Sequence, residues 1–74
     1  MENYQLVIKA HNRPGSLERI LRVIRHRGGI IVKMDMQVES AAFFSARFDL
    51  ANSKAKQQIS DQLKKLVDIV TVNE

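Results

Sequence analysis

A two-layer α+β fold of order β-α-β-β-α-β is predicted by three observations in this chain of 74 residues. Apolar side chains alternate with polar ones over residues 4–10, 30–38 and 43–50, the period of a half-buried strand. Between the first two runs, and again after residue 52, the apolar positions change to the spacing of a helix buried along one side. The lone proline and all three glycines (Pro14, Gly15, Gly28 and Gly29) bracket the first of these helical segments.

Each element follows from its own residues. Tyr4, Leu6, Ile8 and Ala10 share one face of the first strand, with Gln5, Val7 and Lys9 on the other. Asn12-Arg13-Pro14-Gly15-Ser16 reads as a turn into a helix, because proline suits a first helical turn where its missing N–H would have no partner. Leu17, Ile20, Leu21 and Ile24 then form one apolar stripe, and Gly28 suits the left-handed residue that ends a helix. In the second strand Ile30, Val32, Met34, Met36 and Val38 are expected to face one way, and Ile31, Lys33, Asp35 and Gln37 the other. A short connection at Glu39-Ser40-Ala41 leads into the third strand. There Phe44, Ala46, Phe48 and Leu50 are expected inward, and Phe43, Ser45, Arg47 and Asp49 outward. A second helix starts near Asn52 or Ser53, both good N-caps, and buries Ala55, Ile59, Leu63 and Leu66. Residues 69–72 form a last short strand.

This order is the ferredoxin-like sandwich: a four-stranded antiparallel sheet, right-handed crossovers, and both helices on one face. The open face is expected to carry Lys9, Lys33, Asp35, Ser45 and Arg47 mixed with Val7, Ile31 and Phe43. Residues 1–74 are expected to form a single domain, small enough that pairing with another chain is a common source of stability.

Composition narrows the function. The chain has no cysteine, so disulfide and thiol chemistry are excluded, and its two histidines stand near no acidic cluster, so no metal site is expected. The start carries Glu2 where a secretory leader would be basic, and no apolar run approaches a membrane span, so a cytoplasmic protein with no membrane contact is expected. The formal net charge of +4 is concentrated, with Arg19, Arg22, Arg25, His26 and Arg27 on one helix. Such clustering fits a solvated face, nucleic acid or an acidic protein partner. Serines at 16, 40, 45, 53 and 60 find no suitably placed base in His11 or His26, so no catalytic residues are assigned. Glu18, Asp35, Glu39, Asp49, Asp61 and Asp68 are scattered and read as solubilising.

The turn at residues 11–16 carries more. The first amides of a helix lack internal partners, and the helix dipole adds partial positive charge, so together they suit a carboxylate or phosphate. Asn12 offers an amide, and Gly15 permits close backbone approach. The plainer alternative makes Asn12 an N-cap and Gly15 a turn residue. An RNA-binding role needs aromatics on the open face of the sheet, whereas Tyr4 and Phe44 are expected beneath the helices, so no nucleic-acid partner is expected.

With this element order and the turn Asn12-Arg13-Pro14-Gly15-Ser16-Leu17, the chain resembles an ACT domain, a regulatory module that usually senses amino acids. The segments 17–28 and 65–70 are similar to those of the small subunits of acetolactate synthase (acetohydroxyacid synthase), of the isozyme II kind in particular. The resemblance implies a non-catalytic regulatory subunit in branched-chain amino-acid biosynthesis, leading to valine, leucine and isoleucine. It implies no cofactor in this chain, with thiamine diphosphate, Mg²⁺ and FAD in the large subunit, its partner. It further implies a homodimer paired through the second strand, with a branched-chain amino acid between the first turn of one chain and the second strand of the other. The matching ligand-binding positions are Asn12, Arg13, Pro14, Gly15 and Ser16 with Gly29, Ile30 and Ile31. Valine-responsive small subunits tend to carry asparagine where this chain has Ile30, so the response to valine is expected to be weak or absent. Arg19, Arg22, Arg25 and Arg27 are expected at the interface with the large subunit. A free-standing amino-acid sensor with another enzyme partner is the alternative reading.

Overall fold

A computed structural model describes residues 3–73. In chain order it contains β1 (Asn3–His11), α1 (Ser16–His26), β2 (Ile30–Val38), β3 (Phe43–Ala51), α2 (Lys56–Lys64) and β4 (Ile69–Asn73). The four strands form one antiparallel sheet in the order β2-β3-β1-β4, with β1 and β3 central. Central position explains their strict alternation, since one face of each must be dry. Leu6, Ile8, Ala10, Phe44, Ala46, Phe48 and Leu50 are all buried. Ile20 and Ile24 of α1 and Ile59 and Leu63 of α2 join these residues in one cluster. Both helices therefore cover the same face, as the ferredoxin-like order predicts.

The second strand departs from the expected pattern. Ile31 lies opposite Leu50 and Lys33 opposite Asp49, so Val32 is an extra residue in the ladder. Such a bulge shifts the register of faces by one. Ile31 consequently turns toward the helices and packs against the core, although alternation placed it on the open face. Val32 sits instead beside Gln5 and Asp49 on that open face. Beyond the bulge Met34, Met36 and Val38 pair with Phe48, Ala46 and Phe44 and share their face. At the sheet edge, however, Ile30, Val32, Met34, Met36 and Val38 all remain exposed.

The helix ends differ from expectation as well. The cap of α1 is Gly15, at a φ of 82°, with no side-chain cap, so Asn12 is not its N-cap. Neither Asn52 nor Ser53 caps α2 through a side chain. A single 3-10 turn, Ser53–Ala55, intervenes before α2 begins at Lys56. Asn52 takes a left-handed conformation, at a φ of 72°, and its amide donates to the Gly28 carbonyl at 3.0 Å. That bond ties the end of α1 to the approach to α2. No helix of the described residues is long and apolar enough to cross a membrane.

Candidate functional site

The turn between β1 and α1 is shaped from both sides by backbone bonds. The His11 amide donates to the Asp68 carbonyl at 2.7 Å, and the Asn12 amide to the Ala42 carbonyl at 2.8 Å. Three further bonds run from the Arg13 amide to the His11 carbonyl, from the Ser16 amide to the Arg13 carbonyl and from the Arg19 amide to the Gly15 carbonyl, each at 3.0 Å. The chain can reverse here because Gly15 accepts a positive φ that a side chain would resist.

One carboxylate organises the side chains around this turn. Asp68, just before β4, is only 4% exposed. Its Oδ1 accepts from Arg13 Nη1 at 2.9 Å, and its Oδ2 from Arg19 Nη2 at 2.6 Å and from Ser16 Oγ at 3.2 Å. Ser16 Oγ in turn accepts from the Arg13 amide at 3.1 Å, and Arg19 Nη2 also reaches the Pro14 carbonyl at 3.3 Å. A buried carboxylate is tolerated when charged donors satisfy its oxygens. The Arg19 hydrogen bond, aided by those of Arg13 and Ser16, holds the Asp68 carboxyl below its ordinary value against the opposing effect of burial.

Asp68 was expected to be a solubilising carboxylate, and the structure corrects this. No local pattern marks it, since its three side-chain partners lie 49 to 55 positions away in sequence. A usable signal is present nonetheless: an acid immediately before an apolar strand, in a chain with surplus arginine near its first turn.

The structure places the other candidate residues in two separate groups. Asn12, Arg13 and Pro14 are exposed, Gly15 half-buried and Ser16 buried at the start of α1. Gly29, buried, and Ile30, exposed, follow the other end of α1 and line a shallow depression with Ile31 and Arg25. The 11 residues of α1 separate the two groups by about 16 Å. One chain therefore does not bring them together. The four arginines also divide: Arg19 serves the Asp68 cluster, while Arg22 and Arg25 are exposed further along α1 and Arg27 is half-buried at its end.

Comparison with known proteins gives this geometry a family. Residues 12–72 match the ACT domain family. The small subunit of acetolactate synthase isozyme 2 from Escherichia coli (strain K12) is 36% identical over 73 residues, covering 97% of this chain and 84% of that protein. The same subunit from Shigella flexneri matches to the same extent. Among solved structures, the acetolactate synthase small subunit from Thermotoga maritima aligns with a TM-score of 0.84 and 23% identity, over 99% of this chain and 47% of that one. The ACT domain from GTP pyrophosphokinase of Chlorobium tepidum aligns with a TM-score of 0.81 and 18% identity, over 96% and 94% of the two chains. At such identities the solved structures speak for the fold alone. The sequence kinship runs through nearly the whole chain, which belongs to the ACT-domain family and, within it, to the small subunits of acetolactate synthase.

Proposed function

We propose that this chain is the regulatory, non-catalytic small subunit of an acetolactate synthase, stimulating the large subunit by direct contact and responding weakly or not at all to valine. The observation that carries the reading is the end-to-end kinship with the isozyme 2 small subunits. In this reading thiamine diphosphate, Mg²⁺ and FAD belong to the large subunit, and the assembly is cytoplasmic. The two candidate ligand-binding groups stand at opposite ends of α1, so a complete site takes one group from each of two chains. The free edge of β2 supplies the seam for such a homodimer. A strand edge presents unpaired backbone groups, and exposed Met34 and Met36 add apolar area to it. Ile30 then contributes to the shared site a side chain that cannot hydrogen-bond an amino acid's ammonium or carboxylate.

The decisive experiment is acetolactate formation from pyruvate by the cognate large subunit, with and without this chain and with and without valine. Several-fold stimulation that valine leaves untouched is the expected result. Stimulation abolished by valine would keep the subunit assignment and refute the argument from Ile30. No stimulation would transfer the assignment to a free-standing sensor with another enzyme partner.

A second expectation concerns assembly. Met34→Glu with Met36→Glu places two carboxylates on the edge of β2 and is expected to convert a dimer to a monomer in sedimentation. Since both side chains are already exposed in the single chain, far-ultraviolet circular dichroism should stay unchanged. An unchanged mass would move the seam elsewhere.

A further inference from the structure

We propose that the solvent face of α1 around Leu21, Arg22, Arg25 and His26 is where an acidic segment of the large subunit docks, anchored by one apolar side chain. The proposal rests on the small-subunit reading and adds the surface and its chemistry. Arg22, Arg25 and His26 are exposed, and with half-buried Leu21 and with Glu18 they line one shallow groove. The spacing i, i+3, i+4 from Arg22 puts all three basic side chains on one side of the helix.

Among the described residues no carboxylate lies within ion-pair distance of this face, and Glu18 is the one acid among its lining residues. The ion pairs are Lys9–Glu39, Arg13–Asp68, Arg19–Asp68 and Lys33–Asp35, and none involves Arg22, Arg25 or His26. Glu18, one turn before Arg22, forms no ion pair either. Like charges one turn apart repel each other, so the free chain keeps a cost that carboxylates from outside would remove. The helix dipole favours cations near Arg25 and His26, but it offers no carboxylate to their donors.

The composition of the groove indicates the partner. Guanidinium forks match carboxylates in two-point contact, and half-buried Leu21 adds an apolar side chain to the groove lining. A nucleic-acid backbone would meet the charges but leave Leu21 unused. A protein segment with acids about one turn apart around an aliphatic or aromatic residue uses both. Arg25 also borders Gly29, Ile30 and Ile31, so a docked segment lies beside the second candidate ligand group.

The test titrates the cognate large-subunit holoenzyme with three forms of this chain at low and high salt. They are the wild type, Arg22→Glu with Arg25→Glu, and Lys33→Glu with Arg47→Glu. The last pair makes the same charge change on the open face of the sheet, opposite the helices. Expected is salt-dependent binding by the wild type, a loss of about tenfold or more for the α1 pair, and a change within about twofold for the control pair. Arg22→Gln with Arg25→Gln, which removes the two charges, should also lose affinity and flatten the salt dependence, and it replaces the reversal if that variant fails to fold. Equal binding by the α1 pair and the wild type would overturn the docking face while leaving the subunit assignment intact. An equal loss in the control pair would overturn it too, reducing the effect to net charge. A wild type that ignores the large subunit refutes the assignment and the docking face together. If that wild type instead holds single-stranded RNA in a salt-dependent way and the Arg22→Glu with Arg25→Glu variant does not, the face is a nucleic-acid surface.

Discussion

Gly29→Val is expected to prevent stable folding, the largest effect of any single substitution at the ends of α1. A Cβ on Gly29 would stand 2.8 Å from Ile24 Cγ2, 2.8 Å from Ile59 Cδ1 and 2.9 Å from the Ile24 carbonyl oxygen. The two isoleucines are fully buried on different helices. The carbonyl is held in place by the Gly29 amide itself, which donates to it at 2.8 Å. Ile59 Cδ1 ends its side chain but is packed in the core, and Ile24 Cγ2 and the Ile24 carbonyl are fixed to the helix, so relief requires shifting α1. Overpacking of this kind costs about 1–3 kcal/mol for small additions. A domain of 74 residues holds only about 4–11 kcal/mol in all. Gly29→Ala should therefore lower the urea midpoint sharply, and Gly29→Val should leave little folded chain to titrate. Gly28→Ala is the informative contrast. Its added Cβ would meet only Asn52 Nδ2, at 3.7 Å, and the cost is the strain of a φ of +89°, about 1–2 kcal/mol. If Gly29→Ala proves the milder of the two, packing does not govern this corner.

Asp68→Ala is expected to loosen the first turn and lower stability, with a characteristic dependence on pH. The substitution releases the Arg13 side chain, leaves Arg19 only its bond to the Pro14 carbonyl, and frees Ser16 Oγ from one of its two bonds. The backbone bond from His11 to residue 68 survives, so the sheet should persist while the amides of Asn12, Arg13, Gly15 and Ser16 exchange faster with solvent. The Asp68 carboxyl lies below its ordinary value in the folded chain, chiefly through Arg19. Its contribution is therefore present in full above the unfolded value, about pH 4, and is lost as pH falls toward the lowered folded value. The wild type should lose stability over that acid range, and Asp68→Ala should lose less there. Parallel acid profiles for the two would mean that the carboxylate does not stabilise the folded state. Because the turn carries five of the eight candidate ligand positions, the same variant should also weaken any effector response.

Most of the architecture was legible because it depends on burial along regular elements. Leu6, Ile8 and Ala10, and likewise Phe44, Ala46, Phe48 and Leu50, alternate because β1 and β3 are central strands with one covered face. Ile20 and Ile24 mark the dry side of α1 for the same reason. What escaped are features that a period cannot encode. The bulge at Val32 inserts one residue, and an apolar run containing Ile30, Ile31 and Val32 reads equally well in either register. The 3-10 turn at Ser53–Ala55 delays α2 although Asn52 and Ser53 have the composition of caps. At the candidate site the turn itself was visible in Pro14 and Gly15, whereas Asp68 and the role of Arg19 were not. Their meeting depends on β4 lying beside β1, a fact of topology rather than of local pattern.

The Asp68 cluster also has a consequence in time. Its side-chain contacts span 55, 52 and 49 positions, and β4 pairs with β1, which precedes it by three strands' worth of sequence order. Closing so long a loop spends chain entropy before any contact repays it. As the chain leaves the ribosome, Arg13 and Arg19 have no carboxylate to hold until residue 68 arrives. This turn is thus among the last parts of the domain to reach its final shape, although it precedes most of the elements in sequence.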